Sequence, residues 1–320
     1  MEKILGPVEA SNLEKELTKE RFLRYSTKGS NELYLVNAHN APYVMEEIGR
    51  LREITFREAG GGTGKSTDID KYDTADFPYD QLVLWNPEAK EIIAGYRLLD
   101  CKKALENKGG LHMLATSHLY EFTNKFIDKY LPDTLELGRS FVQPKYQKGS
   151  LAKKGLFALD NLWDGLGAVI VQNPKIKYLF GKVTMYTTYD TDGRNALMAF
   201  MDYYFPDPEK LIYPFDPIVS KEDKTPYMEL FEGLTYKEGY LVINKLIRNM
   251  GLNIPPLINS YMNLSTSMKN FGTSLNDEFG DVEETGILVT IKDVHQDKQE
   301  RYFHTYHSHC TYGSPPWSNS

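Results

Sequence analysis

The chain has 320 residues, with 37 Lys and Arg against 44 Asp and Glu, a formal net charge of −7. Its composition, 41% hydrophobic and 25% charged, is too apolar for intrinsic disorder, and no run approaches the roughly 18 apolar residues of a membrane-spanning helix. The acidic balance argues against a wholesale nucleic-acid-binding surface and leaves room only for a local basic patch.

The first residues, Met1-Glu2-Lys3-Ile4-Leu5-Gly6-Pro7, lack the apolar core of about 7 to 15 residues that a secretory signal needs, so a cytosolic address is expected. Cys101 and Cys310 lie too far apart for a CxxC metal knuckle, in keeping with a reducing compartment. The 22 tyrosines suit half-wet clefts and interfaces.

Ser11-Asn12-Leu13-Glu14 has capping-box form and predicts a short helix to about Tyr25. Residues 32–37 read as a strand. After Pro42, the spacing of Val44, Ile48, Leu51 and Phe56 predicts a helix over 43–58. A long loop follows to Phe77. Residues 80–86 and 91–99 flank Pro87-Glu88-Ala89-Lys90 as a hairpin. A helix is expected around 116–129, then a strand over 134–142. Along that strand Glu136 and Arg139 face opposite ways unless Gly138 marks a bulge. Further on, the pattern predicts a helix from Ser150 to Gln172, a strand over 177–186, a helix over 193–205 and a Pro-rich irregular passage to Pro226. A helix over 238–250, a strand over 287–292 and a tail from about His307 complete the chain. This order predicts an α/β fold with a mixed sheet flanked by helices, not a doubly wound one.

Gly60-Gly61-Gly62-Thr63-Gly64-Lys65-Ser66 ends like a phosphate-binding P-loop, but Ala59 stands where the first glycine belongs, and the loop follows a helix instead of a strand. A flexible lid is the expected reading, because closely spaced glycines admit large backbone excursions. A nucleotide-dependent enzyme is the rival.

The polar residues that could form a site are Arg52, the acidic group Asp70, Asp73 and Asp80, Arg97 in an apolar strand, and Glu136 with Arg139. Charges inside strands are costly unless paired or wet. Two readings are open: a ligand-binding cluster, and an ion-pair network that only pins the loop to the sheet. His304, His307, His309 and Cys310 are grouped closely, but no CxxC or acidic partner accompanies them, and no metal is expected.

Arg52 with Phe56, Asp70 with Asp73, Arg97, and Glu136 with Arg139 have the order and spacings of acyl-homoserine lactone synthases. The stretch Glu136-Leu137-Gly138-Arg139-Ser140-Phe141-Val142-x-Pro144-x-Tyr146 resembles more closely the ornithine-lipid and glycine-lipid N-acyltransferases that are often labelled hemolysins. The tryptophan that lactone synthases carry before the first Asp is replaced by the glycine stretch, which speaks against lactone formation on S-adenosylmethionine.

The resemblance implies an acetyltransferase-like (GNAT) fold over 31–305, after an N-terminal helical segment 1–30 and before a tail 306–320. It also implies a thioester donor whose pantetheine arm lies between splayed strands 134–143 and 177–186. The implied activity is transfer of a long-chain, 3-hydroxylated or plain, acyl group from acyl carrier protein, or from acyl-CoA, to the amine of glycine or ornithine in aminolipid synthesis. No permanently bound cofactor is expected. Glu136 and Arg139 are expected as catalytic residues, with Arg52, Phe56, Asp70, Asp73, Asp80 and Arg97 binding substrate. Ser140, Phe141, Val142, Lys153 and Lys154 would bind the donor, the lysines meeting its phosphate or the acidic carrier protein. The expected partners are acyl carrier protein and a small amino acid, with no nucleic acid and with room for peripheral contact at the inner membrane. The alternatives are a non-catalytic acyl-binding protein of the same fold and an acyl-CoA-dependent N-acetyltransferase of small molecules.

Overall fold

The computed structural model describes residues 1–107, 109–151, 155, 157–218 and 225–306. In chain order the first elements are α1 (Ala10–Glu16), β1 (Phe22–Tyr25), β2 (Glu32–Val36), α2 (Pro42–Ala59), β3 (Asp80–Asn86) and β4 (Glu91–Asp100). They are followed by α3 (Cys101–Glu106), β5 (Tyr120–Phe122), α4 (Asn124–Lys129), β6 (Thr134–Val142), α5 (Ala158–Gln172), β7 (Tyr178–Met185) and α6 (Thr191–Tyr204). The last are β8 (Ile212–Pro214), α7 (Thr225–Glu229), α8 (Tyr236–Asn249), α9 (Pro256–Met262), β9 (Lys269–Asn276), β10 (Val282–Thr290) and α10 (Gln296–Gln299). No helix among the described residues is long and apolar enough to cross a membrane.

These elements divide into two units. The first takes Met1–Asp100, Leu137–Ile176 and the chain from His295. Its strands run in the order β1-β2-β3-β4 and then the second part of β6. Helix α2 puts Val44, Ile48 and Leu51 on one buried face, and each such side chain taken out of water contributes roughly 1.5 to 3 kcal/mol. Its first turn holds Pro42, and the Glu16 carboxylate accepts the Val44 amide proton at 2.8 Å. Gly60 ends it in the left-handed region, at φ +98°. On α5, Gly165 lets the helix close on β3, since a Cβ there would stand 2.6 Å from the Leu82 side chain.

The second unit takes Cys101–Glu136 and Lys177–Val294. Strand β10 pairs antiparallel with β7 on one side and β9 on the other, and β5 pairs with β8 in a separate ribbon. Rings of Phe126, Phe180 and Phe271 fill its core, with centroids 5.5 to 6.5 Å apart. Each unit, taken by itself, is a sheet with helices against it, as the α/β expectation had it.

Three helix predictions need correction. The helix expected to reach Tyr25 stops at Glu16, because Phe22–Tyr25 pair with β2 as an edge strand. It starts at Ala10, so Ser11 lies inside the first turn and the predicted capping box does not form. Around 116–129, only 124–129 is helical; the Tyr120–Phe122 stretch pairs with β8 instead. Of the helix expected from Ser150, Gly149–Leu151 form a short 3-10 turn and Ala158–Gln172 an α-helix, while residues 152–154 and 156 lie outside the described residues. Strand β9 was not anticipated, and β10 begins five residues before the expected position.

Candidate active site

The acidic loop of the first unit is built on α2. Gly49 leaves the room, because a Cβ there would meet the Ile69 side chain at 2.5 Å, and the Asp68 amide donates to the Gly49 carbonyl at 2.9 Å. Upstream, the buried Glu53 carboxylate gathers the glycine stretch: it accepts from the Thr63 amide (3.1 Å), the Thr63 hydroxyl (2.7 Å) and the Gly64 amide (2.8 Å). Burial raises the Glu53 carboxyl, but the bonds from Thr63 and Arg57 outweigh it and hold the group below its ordinary range. Residues at the N-terminus brace the same stretch, with the Glu2 amide on the Gly64 carbonyl at 2.8 Å and the Ser66 amide on the Glu2 carboxylate at 2.8 Å. The lid expected to be flexible is therefore tied down by hydrogen bonds. The loop amides that a phosphate would need are already given to a side-chain anion.

Asp68, Asp70 and Asp73 then meet three guanidiniums. Arg52 donates to Asp73 Oδ2 at 3.0 Å and to Gln81 Oε1 at 2.5 Å, and Gln81 Nε2 returns to Asp73 Oδ1 at 3.0 Å. Arg97 reaches Asp70 at 2.7 Å and Asp73 at 3.4 Å, its guanidinium 4.9 Å from the Tyr79 ring centre. Arg139 stands 2.9 Å from Asp68 and 3.8 Å from Asp70. Three positive and three negative groups leave the network neutral, which is what makes so much buried charge tolerable.

Burial raises the Asp70 carboxyl, yet Arg97 and Arg139 together outweigh it and hold that group well below the usual carboxylate range. Asp68, fully enclosed, goes the other way: desolvation wins over Arg139 and pushes it up. The Arg97 guanidinium is lowered by burial but raised further by Asp70 and Asp73, so it stays charged throughout the accessible range. Arg52 and Asp73 side chains have no exposed surface, whereas Asp70 keeps 23% and Arg139 13%. The network thus presents Asp70 and Arg139 outward and uses Arg52, Asp73 and Gln81 to fix them.

Of the other predicted residues, Phe56 is buried on α2, and Asp80 accepts from Asn37 Nδ2 at 3.1 Å. Its neighbour Gln81, on the opposite face of β3 and in register with Arg97, is the residue that enters the network. Phe141 packs its ring against Gly95, where a Cβ would stand 2.6 Å away. Ser140 is half-buried, as is Val142, whose carbonyl accepts from Gln147 at 2.6 Å. Lys153 and Lys154 lie outside the described residues, as do His307, His309 and Cys310. Lys145 is engaged by Glu91 at 2.8 Å and Lys148 by Glu58 at 3.4 Å.

Arg139 itself adopts φ +50°, the left-handed region that costs a residue with a Cβ roughly 1 to 2 kcal/mol. The irregularity expected at Gly138 therefore falls one residue later, in a strand that runs on to Val142. Glu136 belongs to the second unit. Its carboxylate, 1% exposed, accepts the Thr116 amide proton at 2.9 Å, and this bond anchors the turn over 114–119. The Thr116 hydroxyl is buried with no hydrogen-bond partner.

Asp68, Gln81 and Thr116 were not among the residues singled out from the sequence. Gln81 could have been found as a polar side chain facing Arg97 across a hairpin. Asp68 shares its acidic loop with Asp70 and Asp73. Thr116 carries no signal in the sequence at all.

Residues 51–155, which hold Arg52, the acidic loop, the β3–β4 hairpin and β6, match the family model described as "Acetyltransferase (GNAT) domain". The buried acidic side chain that opens a distorted strand and the neutral ion-pair network thus both fall within the stretch that defines a GNAT-class acyltransferase. Over 306 residues the chain is 51% identical to a glycine N(alpha)-acyltransferase of Bacteroides thetaiotaomicron, covering 96% of this chain and 91% of that one. It is 48% identical over 306 residues to a glycine N(alpha)-acyltransferase of Phocaeicola vulgatus, covering 96% and 94%. The chain belongs to this family of GNAT-domain N-acyltransferases, as the resemblance of the Glu136–Tyr146 stretch implied. A solved CoA-dependent acyl-homoserine lactone synthase, BjaI with SAM and isopentyl-CoA, aligns over 89% of this chain and 91% of that one. Its TM-score is 0.36 at 12% identity, and a likeness so distant carries no argument.

Proposed function

We propose that the protein transfers a long-chain acyl group from a thioester on acyl carrier protein to the α-amine of glycine, giving an N-acylglycine for aminolipid synthesis. The full-length kinship to two glycine N(alpha)-acyltransferases supports glycine over ornithine as the acceptor. The observation that carries the mechanism is the start of β6, where Glu136 is buried and oriented by the Thr116 amide.

Glycine is an ammonium at neutral pH and must lose a proton before its nitrogen can attack. Glu136, directly or through one water, takes that proton. The freed amine attacks the thioester carbonyl, the C–N bond forms, and the oxyanion is met by main-chain amides of β6, whose backbone turns into the left-handed region at Arg139. The C–S bond then breaks, the new amide nitrogen gives up its second proton, and the thiolate takes up one and leaves as the thiol. Acyl-CoA is the alternative donor, and peripheral contact with a membrane would suit a lipid product.

Two experiments test this reading. Mixing the protein with acyl carrier protein donor, or acyl-CoA, and pooled amino acids should give N-acylglycine by mass spectrometry; no N-acyl product from either donor would defeat the proposal. Glu136→Gln should keep donor binding while single-turnover transfer falls about 10²- to 10⁴-fold. Near-normal turnover would remove Glu136 from the mechanism.

A further inference from the structure

Helix α8 of the second unit divides its residues sharply between an inner and an outer face. Gly239, Ile243 and Ile247 are buried on the inner one. Gly239 lets the helix close on α6, since a Cβ there would stand 2.1 Å from the Tyr204 hydroxyl oxygen. The Tyr236 hydroxyl donates to the Met262 carbonyl at 2.5 Å and the Tyr240 hydroxyl to Asn259 Oδ1 at 2.6 Å, which fixes α8 against α9. The helix is therefore a rigid element with a defined outward side.

That outward side carries Lys237, Leu241, Lys245 and Arg248, all exposed. At 3.6 residues per turn the four lie within about 80° of arc and along about 16 Å of helix axis. Leu241 is 63% exposed and stands between the cations. In a chain of net charge −7, Lys125, Lys177 and Lys269 of the same unit are engaged by Glu209, Asp133 and Glu209 again. Lys237, Lys245 and Arg248 meet no carboxylate among the described residues.

Local helix physics explains only part of this stripe. Arg248 lies in the last turn, where a cation suits the negative end of the helix, but Lys237 lies in the first turn, where the dipole disfavours it. The nearest acid, Glu238, is turned back to its cap, accepting from the Thr235 amide at 2.9 Å and the Thr235 hydroxyl at 2.7 Å. What remains is a positive surface one helix wide with an apolar side chain in its middle, the pattern of a charged rim around an apolar contact. Its complement is a negative surface of similar width. A bilayer fits less well, because the chain leading into α8 exposes Glu229 and Glu232, which a broad anionic sheet of headgroups would also meet.

We propose that this face of α8 docks the acidic acyl carrier protein that presents the thioester. Lys237, Lys245 and Arg248 meet carboxylates along one edge of the carrier, and Leu241 fills the apolar gap between them. Cations placed this way act mainly on the encounter and give it a strong dependence on salt. This inference rests on the acyltransfer reading above and adds where the protein part of the donor is held.

The test separates the carrier from the acyl group. Lys237→Glu, Lys245→Glu and Arg248→Glu together reverse the charge of the outer face and leave the buried face of α8 untouched. With palmitoyl-loaded bacterial acyl carrier protein, the triple variant should raise the donor KM on the order of 30-fold, with kcat and the glycine KM unchanged. With palmitoyl-CoA it should match wild type. Leu241→Ser should raise the carrier KM about 5-fold. Raising NaCl from about 50 to about 300 mM should lower the wild-type kcat/KM for the carrier roughly 10-fold and leave that of the triple variant nearly flat. An unchanged carrier KM in a triple variant that folds as wild type overturns the proposal, even if that variant no longer binds vesicles of anionic phospholipid. An equal loss with both donors overturns it as well. If wild type acylates glycine from palmitoyl-CoA but does not bind the carrier in fluorescence anisotropy, the docking surface fails and the acyltransfer reading survives. If the carrier binds wild type, the triple variant loses that binding, and neither donor yields N-acylglycine, the docking surface stands and the acyltransfer reading is what fails.

Discussion

A single carboxylate, Asp73, serves two guanidiniums and a side-chain amide without touching solvent. Its value lies in what would be stranded without it. Asp73→Asn keeps the shape but leaves Arg52 and Arg97 with one fewer negative charge in a dry environment, so stability should fall by about 3 to 5 kcal/mol. A urea midpoint close to that of wild type would show the network to be wetter than its burial implies. At this scale the sequence was informative where charge interrupts an apolar run, as at Arg52, Arg97 and Arg139. It was silent where the decisive property is direction. Gln81 and Asp80 are adjacent and both polar, and only strand alternation decides which one enters the network. Thr116 matters through its backbone amide, which every non-proline residue possesses.

Elements were legible to the degree that local pattern agreed with tertiary pairing. Helix α2, the β3–β4 hairpin, β6 and α6 follow their periodicity. The stretches 22–25 and 120–122 are strands despite weak local signals, because distant partners, β2 and β8, claim their main-chain groups. A second tertiary effect shows on α5. At Gly167 a Cβ would lie 2.2 Å from the Tyr302 carbonyl oxygen. Main chain cannot swing aside as a side chain can. Gly167→Ala should therefore cost about 1 to 3 kcal/mol and loosen residues 295–306. Hydrogen exchange across that segment would check it, and unchanged protection there would mean that the close approach is easily relieved.

The first unit is assembled from three separated stretches of chain, and the last of them arrives only after the second unit has been passed. Tyr302 stacks on Trp163 at 6.0 Å, its hydroxyl and Arg301 meet Asp160, and Gln172 bonds the Tyr306 hydroxyl at 2.5 Å. Removing everything after Val294 should uncover that face of α5 and cost roughly 3 to 5 kcal/mol, as deletion of buried aromatics does. The expected readout is a lower urea midpoint with the near-ultraviolet signal of Trp163 diminished; a truncated chain as stable as the whole would show the strap to be dispensable. This threading is what the sequence could not display, since it depends on contacts between residues more than a hundred positions apart.

Glu53 holds the glycine stretch whose sequence imitates a nucleotide-binding loop. A cradle of amides filled from within is a lock supplied with its own key: any visiting phosphate competes against an anion that its tether never lets diffuse away. The glycines there serve to wrap main chain around that tenant, and so a motif that looks like an invitation to ligands works as a clasp that keeps the neighbouring acids in place.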